Sequence, residues 1–294
     1  MSRILFLIFS FLILFAEANP INRNTSYPYI SGDTFRLNCD FIFDEFDRSL
    51  SPSQVQDGHI IFVKTDYLRT FFSRVHPRIK AHYVLVTHNS DFAVPGKFAS
   101  YLDDEKLIAW FGQNVEGVSY PKLFPIPIGI ANRCWNHGNI ERIHNIQKQI
   151  PLVQKKTLLY MNFLESTCFT ERNRVRNMFL QKHYCLAVSS RTQEEYLLDL
   201  ASSKFVLCPR GNGLDCHRTW ECLLMGAIPI VKTSPLDPLF EDLPVLIVRN
   251  WEDISEEFLN RQYEEMQAKA YRIEKIYAQY WLDLIKKSII PNMI

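Results

Sequence analysis

Short apolar runs alternate with polar, helix-like stretches through most of this 294-residue chain. Residues 59–65 (HIIFVKT), 81–91 (AHYVLVTHNSD) and 107–114 (LIAWFGQN) each carry a block of consecutive apolar positions. Such blocks, bounded by polar residues, predict strands buried on both faces, as in a parallel sheet. Residues 124–132 (FPIPIGIAN) give a weaker fourth strand. Between them, 67–75 and 94–102 have helical character. Residues 147–156 are polar and carry Pro151, which predicts a linker. A second series follows: strands in 157–163 (TLLYMNF), 184–190 (YCLAVSS), 205–208 and 228–231, and helices over 170–181, 192–202 and about 217–225. Thr192 is the expected N-cap of its helix. Residues 251–284 read as one long helix, and 19–57 as an irregular arm with an acidic aromatic patch at 41–46. The alternation predicts an α/β protein of two domains, 19–150 and 151–294, behind an amino-terminal leader.

The second series contains the densest chemistry. Over 204–248 a strand meets a loop with Gly211 and Gly213, then a helix, then a strand. Arg210, Asp215 and His217 lie in the loop; Arg218 and Glu221 stand three apart and share a helix face. Glycines let backbone approach a bulky anion, a helix N-terminus offers free N–H groups, and arginine supplies a planar fork for phosphate oxygens. The pattern suits a nucleotide diphosphate. A surface ion pair on a helix that covers the sheet is the other reading.

The strings FVLCPRG, HRxxE and GAIPIV in this stretch resemble the carboxy-terminal half of exostosin-like glycosyltransferases. The likeness is good over 204–253, weaker over 158–179 and thin before Val153. It implies the GT-B architecture, two Rossmann-like domains facing across a cleft, with a last helix that crosses back to the first domain. It implies an exostosin-like glycosyltransferase, hexosyl- or pentosyl-, that inverts the anomeric carbon. The co-substrate is then a nucleotide sugar, with a UDP-sugar first among them, and the acceptor a glycan or glycoconjugate hydroxyl. Donor binding falls on Arg218 and Glu221. Gly211, Gly213, Asp215 and His217 shape the phosphate loop, and Arg172 is a second anion contact. Cys216 stands where the family often has a small residue. A non-catalytic carbohydrate-binding or scaffold protein that keeps the fold is the alternative.

A base is needed to take the acceptor proton. Ligands of doubly wound sheets sit beyond the carboxyl ends of strands, which directs attention to Thr65, Asp66, His88, Asn89, Asp91, Gln113, Asn114, Asn132, Trp135 and His137. Asp91, His88 and Asp66 are the catalytic candidates, with Asp91 first; each also reads as a turn cap. No Asp-x-Asp motif suits a metal-bridged diphosphate, so no metal or other cofactor is expected, and a helix N-terminus with arginines would hold the leaving group.

Composition narrows the rest. Hydrophobic residues at 47% and charged residues at 22% describe a folded chain. A net charge of +1 gives no bulk attraction to nucleic acid, so any anion site is local. Seven cysteines show no CxxC pair or zinc spacing. Arg3, an apolar run over 4–15 and Ala16-Glu17-Ala18 predict a signal peptide, or an uncleaved anchor and then the sole membrane contact. Export to an ER/Golgi lumen, the outside or a periplasm is expected, and Asn24-Thr25-Ser26 is a glycosylation sequon.

Overall fold

The computed structural model describes residues 24–117 and 119–290. The leader expected over residues 1–18 lies outside them. The strands form two five-stranded sheets in which every pairing is parallel. The first holds β1 (Phe41–Phe43), β2 (His59–Lys64), β3 (Tyr83–His88), β4 (Leu107–Gly112) and β5 (Leu123–Pro125), side by side in chain order. The second holds β6 (Thr157–Met161), β7 (Cys185–Ala187), β8 (Ser203–Leu207), β9 (Ile228–Lys232) and β10 (Leu246–Val248), in the order β10-β9-β8-β6-β7.

The arm expected over 19–57 is more ordered than its pattern suggests. Helix α1 (Gly32–Leu37) starts at Ser31, whose side chain accepts a bond from the Thr34 amide. The acidic aromatic patch supplies β1, which pairs with Ile61–Val63. Three residues are too few to show a period. The stretches at 67–75 and 94–102 form helical turns rather than long helices. The first runs through α2 (Leu68–Thr70) and a π-helical turn at Phe71–Val75; the second is the 3-10 helix Gly96–Asp103. The weak fourth strand stops at Pro125, because Pro127 has no N–H to donate. Helix α3 (Ile140–Gln147), capped by the Asn139 side chain, runs up to the polar stretch, which holds a single 3-10 turn at Ile150–Leu152.

Residues on β2 and β3 alternate between two cores. Ile61, Val63, Tyr83 and Leu85 pack with Phe71, Phe72 and Leu102 of the crossovers. Ile60, Phe62, Val84 and Val86 face the other way, into a cluster that includes Phe35, Ile143, Trp220 and Trp281. That cluster is continuous between the two halves.

In the second half α4 (Phe169–Phe179), α5 (Gln193–Ala201) and α6 (His217–Leu224) connect the strands. Thr192 and Glu195 form a reciprocal capping box at α5, and α3 packs on α5. The long helix expected over 251–284 is divided. A 3-10 turn at Trp251–Asp253 precedes α7 (Glu256–Gln267), a second turn spans Ile273–Ile276, and α8 is Ala278–Lys287. Ser255 caps α7 afresh, and beyond its end the chain is held elsewhere: the Arg272 amide donates to Asp242 O at 2.8 Å and the Lys275 ammonium to Glu241 O. The crossing back is made by α8 alone. Its Ala278, Trp281, Leu282 and Ile285 form one buried stripe. The Ala278 amide donates to Pro28 O at 2.9 Å, and Tyr277 bridges to Tyr29. Among the described residues no helix is long and apolar enough to cross a membrane.

Candidate functional site

Strand β6 has β8 on one side and β7 on the other. The chain therefore leaves β6 in one direction and reaches β8 in the other, and the loops after β6 and β8 part above the sheet. A cavity of 980 Å³ opens there, lined by residues that include Asn162, Arg172, Tyr196, Gly211, Arg218 and Glu221. Helix α6 starts at its edge, and among the described residues no side chain caps its first N–H groups. These donors and the helix dipole favour an anion at this point.

Two guanidinium groups reinforce that preference. Arg172 and Arg218 both lie over the Phe163 ring, at 5.7 and 5.6 Å from its centroid. Among the described residues neither has a carboxylate at ion-pair distance. Arg172 spends its donors on backbone carbonyls, Nε to Arg210 O and one terminal nitrogen to Leu164 O, each at 2.8 Å. Burial and the nearby Arg218 charge lower its hold on the proton. It braces the glycine loop while adding positive potential. Among the described residues the buried Arg218 Nε has no hydrogen-bond partner, a costly arrangement unless a ligand completes it. Arg176 and Arg174 are turned to other work, paired with Glu165 and Glu252.

Glu221 is 8% exposed and accepts a bond from Tyr196 OH at 2.8 Å through Oε2. Among the described residues its Oε1 accepts none, so a carboxylate oxygen remains for a hydroxyl of a ligand. Gly213 serves a close approach: a Cβ there would come within 2.5 Å of Asn114 Nδ2 from the first half. At Gly211 a Cβ would stand 3.3 Å from the Arg172 guanidinium.

Asp215 shapes the loop from inside. Its carboxylate, 5% exposed, accepts bonds from the Ile128 amide (2.8 Å), the Trp220 indole (2.8 Å) and the Cys216 amide (2.9 Å). Its own amide donates to Asn114 Oδ1 at 3.0 Å. It thus ties the two halves together. Burial pushes its pKa up to about 6, against the pull of those three donors.

The first sheet contributes the facing wall. Its strand-end loops line a cavity of 640 Å³ with His88, Asn89, Asp91, Gln113, Asn132 and Trp135, six of the positions singled out from the sequence. Trp135 and Phe46, 61% and 54% exposed, stand at this cavity. The three candidate bases fare differently. Asp91 is exposed, lines both cavities and accepts a bond from Asn212 at 3.1 Å. His88 is 1% exposed, and both ring nitrogens are committed: Nε2–H donates to Pro127 O at 3.1 Å and Nδ1 accepts from the Asn89 amide at 2.8 Å. Burial takes its pKa down to about 4. Without a free lone pair it cannot receive a substrate proton, so its role is to hold the loop. Asp66 sits exposed on the 3-10 turn Thr65–Tyr67 and lines neither cavity.

Sequence reasoning passed over Phe163, Tyr196 and the bridging role of Asn114. Phe163 and Asn114 end apolar runs, the place where strand-end logic looks. Tyr196 lies mid-helix and gave no signal. Among the described residues no group of three or more His, Cys, Asp or Glu is placed to hold a metal ion.

Two α/β halves, each built on a five-stranded parallel sheet, with a cavity at the switch point of the second, define the GT-B architecture. Residues 154–294, just under half of the chain, match the family model described as the RXYLT1 C-terminal domain. This bears out the exostosin-like resemblance over the carboxy-terminal part of the chain. No curated protein matches the chain. Among solved structures, a glycosyltransferase from Rickettsia africae aligns with a TM-score of 0.41 and 9% identity, over 79% of this chain and 77% of that one. A GtfA/B complex aligns at 0.39 and 15%, over 81% and 58%. The pneumococcal O-GlcNAc transferase GtfA, in complex with UDP and GlcNAc, aligns at 0.40 and 12%, over 81% and 57%. The chain thus spans less than two thirds of the length of the last two. At these scores its fold rests on its own topology.

Proposed function

We propose that the chain transfers a sugar, with inversion, from a UDP-sugar held in the 980 Å³ cavity to a hydroxyl of a glycan or glycoconjugate held in the 640 Å³ cavity. The observation that carries this reading is the pair of guanidinium groups that, among the described residues, have no carboxylate partner, at the uncapped start of α6. Positive charge fixed in a partly dry pocket stabilises the negative charge that grows on a departing diphosphate. Glu221 would bind the ribose hydroxyls, and Trp135 would offer its ring face to an acceptor sugar. Arginines and helix amides supply the counter-charge, so no metal is invoked. The domain limits 19–150 and 151–294, and export through the amino-terminal leader, belong to the same proposal.

Incubation of the purified chain with a panel of nucleotide sugars and glycan acceptors tests it. Release of nucleoside diphosphate with formation of a glycoside of inverted anomeric configuration, read by NMR, is the expected result. Glycan binding without binding or turnover of any nucleotide sugar would favour the non-catalytic alternative.

A further inference from the structure

We propose that His217 is the general base of the transfer, its Nε2 taking the proton of the attacking acceptor hydroxyl; this rests on the sugar-transfer reading above. Bond formation must occur where donor and acceptor cavities meet. Four residues line both: Asp91, Ile128, Trp135 and His217. Only Asp91 and His217 among them can accept a proton at neutral pH.

Hydrogen bonding then fixes the tautomer. His217 Nδ1 lies 2.7 Å from Gly129 O. A carbonyl only accepts, so Nδ1 carries the hydrogen and Nε2 carries the lone pair. The same bond, contributed by the first half, holds the ring of a second-half residue at the junction. Burial lowers the tendency of His217 to be protonated, so the ring rests neutral. Groups from every side bear on it: Glu221 and Arg218 on its own helix, the preceding Asp215, His137 with ring centroid 6.3 Å away, His88, and Asp91. The charges of Glu221 and Asp91 favour the imidazolium once it forms. Asp91 itself is exposed and already engaged by Asn212, which suits a supporting charge better than a base shielded from water.

The step balances without a co-reactant. The acceptor oxygen bonds to the anomeric carbon as its proton passes to Nε2. The bond from that carbon to the diphosphate oxygen breaks, and its electron pair leaves with the nucleoside diphosphate, toward Arg218 and the α6 amides. The imidazolium returns its proton to solvent after the products depart.

His217→Asn is the deciding variant, because its side-chain amide can still donate to Gly129 O but offers no base. The expected result is UDP affinity within about twofold of wild type by calorimetry and a kcat lower by ~10²–10⁴-fold. The fall of wild-type kcat on the acid side of its pH profile should also vanish. Should that variant fold poorly, His217→Ala is read with added imidazole, which is expected to restore part of the turnover. Near-wild-type kcat in His217→Asn, an acid limb that disappears in Asp91→Asn instead, or no imidazole rescue in a folded His217→Ala overturns the assignment. No transfer by the wild type removes the function and the base together, whereas transfer that survives in His217→Asn removes the base alone.

Discussion

The first sheet lays its five strands down in chain order, while the second doubles back at β6. Both are wholly parallel and of equal size, yet they do different work. Doubling back separates the loops after β6 and β8, and the 980 Å³ cavity forms in that gap. Sequential winding leaves no such gap, so the first sheet offers a wall of strand-end loops and a smaller cavity, 640 Å³ against 980 Å³. Packing differs as well. One face of the first sheet is covered by its own crossovers, with Phe71, Phe72 and Leu102. Its other face is covered by elements from both ends of the chain, with Phe35 from α1 and Trp281 from α8. The second half thus completes the core of the first.

That dependence gives the largest expected effect. Trp281 is 4% exposed, and its indole donates to Lys275 O at 2.8 Å. Trp281→Ala should destabilise the fold by ~3–5 kcal/mol in urea unfolding, as expected for removal of a buried aromatic. A loss below about 1 kcal/mol would mean that the first sheet stands without α8. Next comes the switch-point pocket. Arg218→Ala should lower kcat by ~10²–10³-fold with the fold intact, because the lost charge matters most in the transition state. Steady-state kinetics beside a thermal melt would show it; full turnover in the variant would move the diphosphate elsewhere.

A pair of glycine substitutions tests how closely the halves meet. Gly213→Ala pushes against Asn114 across the junction, while Gly211→Ala meets the Arg172 guanidinium less tightly. The first should cost ~1–3 kcal/mol as overpacking, and the second less; the reverse order would show that the junction yields more readily than the loop. The smallest effect concerns pH. Asp215 has a folded pKa of about 6, above its ordinary value of 3.8. The folded state then holds the proton more tightly, so this group's contribution to stability falls as pH rises from about 4 to about 6 and is level above. Urea midpoints across that window should decline less steeply in Asp215→Asn than in wild type. Parallel curves would remove the inference.

The second sheet was the more legible of the two. Its strands are bounded by turn and cap signals, such as Thr192 with Glu195 and the glycines at 211 and 213, and the predicted helices over 170–181 and 192–202 agree with α4 and α5 to within two residues. Local signals also located Arg218 and Glu221, because helical spacing decides that they share a face. The first sheet rests on tertiary pairing. Strand β1 exists because Ile61–Val63 lie beside it, and the crossovers are too short to build a period. Hydrogen-bond commitments were beyond reach for the same reason. Nothing in His88 or His217 as letters says that Pro127 O occupies one ring and Gly129 O fixes the tautomer of the other.

On the proposed reading, the switch-point pocket of the second sheet holds a nucleoside diphosphate through Arg218 and Glu221. Calorimetric titration of UDP into the wild type and Glu221→Gln tests it most directly. The predicted result is saturable binding by the wild type and ~10–100-fold weaker binding by the variant, the worth of one charged hydrogen bond. Equal affinity in the two proteins, or no heat with the wild type, would contradict it.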